Sequence, residues 1–291
     1  MIDDALARAR TALLGLAVGD AFGETMFHGP DVAHRIAKRL LPTRRPWPWT
    51  DDTAMAISIV EQLERRGAID PDRLAAAFAR RFQLEPARGY GAGAAHVLAR
   101  MVEGADWRAE AAALFSGRGS FGNGAAMRVA PLGAFFAPDL DRVRDEALRS
   151  AEPTHAHPEG AAGAVAIAIA AALATTGVAR DAMLVEVARF TPDGPTRAGL
   201  LRAEQLGLDF DATFAGEELG TGRDVSSRDS VPFCVWVAAR HLDAYEDALW
   251  TATTQGGDRD TLGAIVGGIV ACSTGTDGIP LLWREATEPL P

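Results

Sequence analysis

The chain has 291 residues, with 29 Lys and Arg against 39 Asp and Glu, for a formal net charge of −10. This charge argues against a protein that binds duplex nucleic acid through a basic surface. Hydrophobic residues make up 48% of the chain, which excludes a disordered protein because such a composition can bury a large core. No linker rich in proline or serine divides the sequence, so we predict one domain over residues 1–291.

Helix signals recur along the chain, whereas sustained polar–apolar alternation, which is typical of strands, is absent from the sequence. Asp70-Pro71, for example, combines an N-cap residue with proline at the first helical position. An all-α fold is expected, with two irregular segments at Arg35 to Pro48 and Phe210 to Arg228, the second a candidate lid or surface loop. The predicted helices cover Ala5 to Val18, Thr50 to Leu63, Leu74 to Phe82, His96 to Val102, Leu140 to Ala151, Glu159 to Leu173, Ala182 to Phe190, Val231 to Arg240 and Tyr245 to Ala252.

Cysteine content and apolar segments indicate the cellular location. Cys234 and Cys272 are too few for a disulfide framework and are interpreted as small hydrophobic residues in a reducing compartment. The N-terminal sequence lacks the apolar region of a secretory signal. The most apolar stretch, Ala161 to Val178, is largely alanine and is interpreted as a buried helix rather than a membrane span. We expect a cytoplasmic protein without membrane association.

Two clusters of oxygen donors stand at predicted helix starts that are far apart in the chain. Helix capping and the helix dipole explain either cluster alone. Brought together, four carboxylates would repel one another unless cations neutralised them, and oxygen ligands favour Mg²⁺ or Mn²⁺ over Zn²⁺. The pair of clusters therefore predicts a site for two Mg²⁺ ions, with Mn²⁺ as an alternative. The second cluster leads into a stripe of small residues that predicts close packing against another backbone. The clusters are Thr50, Asp51 and Asp52, and Asp258, Asp260 and Thr261; the stripe is Gly263, Gly267 and Ala271.

A glycine-rich segment from Gly119 to Arg128 precedes another predicted helix start. Its backbone N–H groups could cradle phosphate, although an ordinary turn is the more common explanation of such a segment. His155 and His157 stand just before the alanine-rich helix. They either orient a hydroxyl or phosphate group of a ligand or have a structural role.

These segments together resemble the ADP-ribosylglycohydrolases, a family that includes the dinitrogenase-reductase activating glycohydrolases. The resemblance implies an orthogonal bundle of helices with two magnesium ions in a cleft. It also implies hydrolysis of the bond between the distal ribose of ADP-ribose and an acceptor: arginine, serine, a nucleobase, an acetyl ester or a small molecule. Partners would be ADP-ribose or ADP-ribosylated protein, nucleic acid or small molecules. The matching segments occur in the family's order and are Gly15 to Gly23, Thr50 to Thr53, Gly122 to Arg128, Thr154-His155 and Gly257 to Thr261.

By position, the resemblance implies a role for each matching residue. One position departs from the family, because Phe27 stands where the family carries glutamate, seven residues after Asp20. Glu24 either substitutes for it as the general base or is a surface glutamate in a loop, in which case an aspartate of the metal clusters is the base. Phe27 would then line a pocket for a planar or apolar acceptor. The alternative hypothesis is a non-catalytic ADP-ribose-binding or structural protein on the same fold. The implied metal ligands are Thr50, Asp51, Asp52, Asp258, Asp260 and Thr261; the substrate-binding residues are Ser120, Gly122, Asn123, Gly124, Met127 and His155; and the catalytic residues are Asp52, Asp260 and Glu24.

Overall fold

The computed structural model describes residues 2–29 and 31–291, and over these residues the fold is all-α, as predicted. No strand forms in this part of the chain, where β structure is limited to two isolated bridges. The helices are α1 (Ile2–Glu24), α2 (Val32–Lys38), α3 (Asp51–Arg66), α4 (Pro71–Leu84), α5 (Ala92–Val102), α6 (Trp107–Gly117), α7 (Gly124–Met127), α8 (Ala130–Phe136), α9 (Leu140–Ala151), α10 (Pro158–Thr175), α11 (Arg180–Phe190), α12 (Pro195–Leu206), α13 (Ala212–Leu219), α14 (Ser227–Arg240), α15 (Tyr245–Thr254), α16 (Arg259–Thr274) and α17 (Leu281–Ala286).

The prediction of an irregular segment over Phe210 to Arg228 is wrong where α13 forms. Asp211 caps this helix, because its carboxylate accepts hydrogen bonds from the backbone N–H groups of Thr213 and Phe214. The segment also ends inside α14, which begins at Ser227. A helix of two turns with one buried face shows too little periodicity to be distinguished from a polar loop by sequence.

Helix α2 occupies the start of the other segment predicted as irregular, so that prediction is also wrong up to Lys38. The helix ends at Lys38, and the next residue, Arg39, has a left-handed backbone conformation. Beyond it the chain is irregular as predicted, and Trp47 is fully buried against Phe22 and Trp283. This aromatic cluster fixes the irregular segment to α1 immediately before α3 begins.

Helix α10 crosses the interior of the fold. It is long and apolar enough to span a membrane by length and composition alone, but 78% of it is buried among other helices. It packs against α8, α9, α14 and α16. The interpretation of the alanine-rich stretch as a buried helix is thus confirmed. Of the cysteines, both free, Cys234 is buried and Cys272 is half-buried.

Helices α1 and α16 pack with their backbones in direct contact. Residue numbers rise along α1 as they fall along α16, so the two helices run antiparallel, and the prediction from the small-residue stripe is confirmed. The contact places Asp20 of α1 beside Asp260 of α16. A Cβ added at any of three glycines of α1 would collide with α16. Its distance would be 2.3 Å to Ala271 Cβ from Gly15, 2.1 Å to the Gly263 carbonyl oxygen from Gly19, and 2.2 Å to the Arg259 carbonyl oxygen from Gly23.

Candidate active site

Asp20 is fully buried and fixes the start of α3 against α1. Its Oδ2 accepts hydrogen bonds from the backbone N–H groups of Thr50 at 2.9 Å and Thr53 at 3.1 Å, and from the Thr53 hydroxyl at 2.5 Å. Its Oδ1 lies 2.9 Å from the Thr50 hydroxyl. Thr50 is the N-cap residue of α3, as predicted, and the helix stops at Gly67 in a left-handed conformation. Asp20 therefore positions the first oxygen cluster.

Two buried carboxylates and one half-buried carboxylate converge where α1, α3 and α16 meet. Oxygen atoms of Asp20, Asp52 and Asp260 all lie within 4.8 Å of one another. Asp52 Oδ1 and Asp260 Oδ1 are buried without a hydrogen-bond partner, whereas the Asp20 oxygens already accept bonds from α3. An unpaired buried carboxylate oxygen is costly, and a bound cation would satisfy it. The two unpaired oxygens belong to residues that the sequence predicts as metal ligands.

The carboxylates of this cluster hold their protons unusually strongly. Burial, followed by the negative charges of Asp20 and Asp258, raises the pKa of Asp51 to about 7. Burial also raises the pKa of Asp20 to about 6, against the opposing effect of its hydrogen bonds. The pKa values of Asp52 and Asp260 are raised well above 3.8 by burial and by the neighbouring aspartates. Hard oxygen donors in this electrostatic state fit a divalent cation, which would favour the ionised form of each carboxylate.

The second cluster is held by contacts from two distant segments. Asp258 precedes α16, and its backbone N–H donates to the Thr221 carbonyl oxygen at 2.9 Å. Its Oδ2 accepts a hydrogen bond of 2.7 Å from Asn123 Nδ2, which also lies 3.0 Å from the Ser230 hydroxyl. Gly257 has φ of +71°, and a Cβ there would lie 1.9 Å from the Thr221 carbonyl oxygen. The chain between α13 and α14 thus forms one wall of the site.

The glycine-rich segment lies between the carboxylates and His155, as the predicted site requires. A Cβ added at Gly124 would lie 3.3 Å from His155 Nε2, and one at Gly122 would lie 3.6 Å from it. At the other side, Asn123 bonds to Asp258. The segment therefore packs closely against His155 on one side and contacts the acidic cluster on the other, and a Cβ at Gly124 would crowd the imidazole ring.

His155 is held in one protonation state by a buried relay. The Arg128 guanidinium, which is only a donor, places Nη2 2.9 Å from the Thr154 hydroxyl oxygen. Since that oxygen already accepts from Arg128, its hydrogen is assigned to His155 Nδ1, which lies 2.8 Å away. Burial and the Arg128 charge lower the pKa of His155 to about 3. We therefore assign a neutral ring whose Nε2 carries the proton and faces the glycine-rich segment.

Glu24 and Phe27 lie at the edge of this site. Glu24 is the last residue of α1, four positions after Asp20, so both side chains lie on one helix face. Its carboxylate lies 2.9 Å from His28 Nε2, and its side chain is 24% exposed. Glu24 is thus at a helix end rather than in a loop. Phe27 is 44% exposed and lies beneath the Arg259 guanidinium, beside the second cluster.

The structure brings nearly all of the predicted residues into one region. Thr261 is buried in the first turn of α16. Ser120 is buried in the glycine-rich segment, where its hydroxyl accepts a hydrogen bond from the Gly122 N–H. Met127 is buried at the end of α7. His157 instead caps α10, because its Nδ1 accepts a hydrogen bond from the Glu159 N–H. Asp20, Thr53 and Arg128 lie in the segments that resemble the family but have no predicted role, and Ser230 lies outside those segments. Asp20 is the only charged residue between Arg10 and Glu24 of α1, and this isolated charge is the local signal for it.

This helical fold, with its buried acidic cluster beside a glycine-rich loop, defines a class of glycosyl hydrolases. The chain belongs to the ADP-ribosylglycohydrolase family, whose sequence pattern it matches over residues 1–289. The predictions of the family, of the fold and of a hydrolytic enzyme are therefore confirmed.

Individual relatives share the whole length of the chain. Human ADP-ribosylhydrolase ARH3 is 28% identical, over 97% of this chain and 90% of that protein. An uncharacterised protein from Archaeoglobus fulgidus is 31% identical, over 96% of this chain and 91% of the relative. A solved structure described as an ADP-ribosylglycohydrolase-related protein complex superposes with a TM-score of 0.70 at 26% identity, covering 98% of this chain and 94% of the other.

Proposed function

We propose that this protein is a Mg²⁺-dependent hydrolase that cleaves the N- or O-glycosidic bond between ADP-ribose and an acceptor. The observation that carries the proposal is the pair of unpaired, buried oxygens on Asp52 and Asp260, near the glycine-rich segment that separates them from His155. The family and the named activity of the ARH3 relatives support the chemistry. All of the candidate ligand atoms are oxygens, and such a set suits two Mg²⁺ or two Mn²⁺ ions.

The two clusters would hold the ions: Thr50, Asp51 and Asp52 on one side and Asp258, Asp260 and Thr261 on the other. Divalent cations bound there would supply positive charge that orients ribose hydroxyls and makes water more acidic. Asn123 would keep the Asp258 carboxylate in position through its 2.7 Å hydrogen bond.

The remaining residues would bind the substrate and transfer protons. His155 Nε2–H would donate to an oxygen of the bound ADP-ribose, with the diphosphate along the glycine-rich segment. Water would then attack the anomeric carbon as the bond to the acceptor breaks, through a transition state with oxocarbenium character. A carboxylate would accept the proton of that water, and the leaving acceptor would take up a proton. Glu24 and the cluster aspartates are the candidates for this base.

The test is release of ADP-ribose from a panel of substrates linked through arginine, serine, a nucleobase or an acetyl ester, with Mg²⁺ or with EDTA. Turnover of at least one substrate with Mg²⁺, and none in EDTA, is expected. Asp52→Asn should be inactive yet folded, because it removes one of several buried like charges. Asp141→Asn is the matched control, since that side chain is 76% exposed. Full activity in EDTA would refute the metal dependence, and tight ADP-ribose binding without turnover of any substrate would favour the non-catalytic alternative.

A further inference from the structure

A second concave site lies on the other half of α3, away from the acidic cluster. It is a groove of about 480 Å³ between α3 and α4. Arg65 and Arg66 line it from α3, and Arg73 and Arg80 line it from α4. Arg65 is thirteen residues beyond Asp52 on the same helix, or about 20 Å along its axis. The groove is therefore separate from the candidate active site.

Helix periodicity explains why the four arginines face one space. On α4, Arg73 and Arg80 are seven residues apart, with Ala76 and Ala77 between them on the same face. The alanines are too small to fill the gap between the two long side chains. Across the groove, the wall of α3 includes the small residue Ser58, which is 1% exposed. The lining of this trough therefore combines short side chains with guanidinium groups.

The charge of this groove is unusual for the molecule. The protein as a whole has a formal charge of −10, and many of its arginines form ion pairs with carboxylates. Among the described residues, Arg65, Arg66 and Arg80 form no ion pair, and Arg73 contacts only Asp70 at 3.2 Å. The one carboxylate of the lining, Glu61, is bound to Arg81 at 2.7 Å. Unpaired like charges around a concave surface repel one another, and an anion seated among them would relieve that repulsion.

We propose that this groove is a binding site for a diphosphate group, either as free diphosphate or as part of a nucleotide. Guanidinium groups bind phosphate oxygens through paired hydrogen bonds, and four of them match the several charges of two phosphates. A volume of about 480 Å³ is within the range of small-ligand sites. The proposal does not depend on the hydrolase activity, because none of these residues belongs to the candidate active site.

The test is isothermal titration of the full-length protein with inorganic pyrophosphate and, separately, with ADP, in low salt without divalent cations. Saturable binding of at least one probe with a dissociation constant below about 1 mM is expected. Arg65→Ala/Arg80→Ala should weaken it by about 10-fold to 100-fold, since charged hydrogen bonds are lost. Ala76→Glu should abolish it by placing a carboxylate in the trough. Hydrolase activity of these variants should match the wild type.

The matched control is Arg44→Ala/Arg149→Ala, which removes two exposed arginines outside the groove and should change affinity by less than about 3-fold. Equal affinity for the two probes would assign diphosphate alone as the ligand, and tighter binding of ADP would assign a nucleotide. The proposal is overturned if neither probe binds at 10 mM. It is also overturned if the groove variants and the control bind equally, since the probe would then occupy another site.

Discussion

The contact between α1 and α16 predicts that Gly19→Ala is strongly destabilising, although alanine normally favours a helix by about 1 kcal/mol over glycine. The added Cβ would lie 2.1 Å from the Gly263 carbonyl oxygen, whereas ordinary contact begins at 3.4 Å. The helices would have to separate by about 1 Å in a close-packed interior. Since the obstructing atoms are backbone, we expect a loss near the upper end of the usual range for overpacking, about 3 kcal/mol.

Urea denaturation monitored by circular dichroism measures this loss, and calorimetry with Mg²⁺ or Mn²⁺ measures its effect on the site. Separation of the helices moves Asp20 away from Asp260, so metal affinity should fall by about 10-fold or more even where the variant is folded. Gly93→Ala in α5 is the control, because its Cβ would meet the nearest atom at 3.7 Å; it should be neutral or slightly stabilising. Wild-type stability and metal affinity in Gly19→Ala would refute the reasoning.

Three further predictions concern protonation. Burial raises the pKa of Asp20 from 3.8 to about 6 and that of Asp51 to about 7, so the folded, metal-free protein retains protons that the unfolded chain loses. Its free energy of unfolding should therefore fall as the pH rises from about 4 to 7, by about 3 kcal/mol for Asp20 alone, and added Mg²⁺ should reverse the trend; a flat profile in EDTA would contradict this. For His155, nitrogen NMR should show a neutral ring protonated at Nε2 with no titration down to pH 5, and a midpoint near 6.5 would disprove the relay. Glu24→Gln should lower the rate by about 10²–10⁴-fold with little change in ligand affinity if Glu24 is the base; if the rate barely changes while Asp52→Asn is inactive, a cluster aspartate has that role.

A feature of this fold can be predicted from the sequence when it depends on residues that are close together in the chain. The sequence predicts Thr50 as a helix start, because its side chain caps the first turn of its own helix. Asp258 also stands just before its predicted helix, but its side chain makes no capping hydrogen bond. The sequence predicts that α1 ends at Val18, whereas it continues to Glu24. The two glycines and the aspartate after Val18 have low helix propensity, and packing against α16 stabilises the helix there in spite of them. Asp20 stands out in the sequence as an isolated charge, but only its contacts with Thr50 and Thr53 show that it holds the start of α3.

The predicted role of Asn123 shows the same limit. The sequence placed this residue in a ligand-binding loop, but nothing local indicates that its amide donates to Asp258, 135 residues away. Side-chain hydrogen bonds over such distances are fixed by the packing of α14 and α16. Residue types and order therefore identified the chemistry of the site, whereas the fold was needed to show which side chains hold the others.

The antiparallel pairing of α1 with α16 also bears on how the chain folds. The acidic centre is assembled from segments that leave the ribosome at widely separated times, so it cannot form until α16 has been synthesised and has docked. A cation bound by all three helices stabilises only the complete native state, not partly folded forms. Metal binding should therefore slow amide hydrogen exchange in α1 and α16 together, as one cooperative unit. An ion bound there would link the early and late parts of the polypeptide, and its binding would mark the completion of folding.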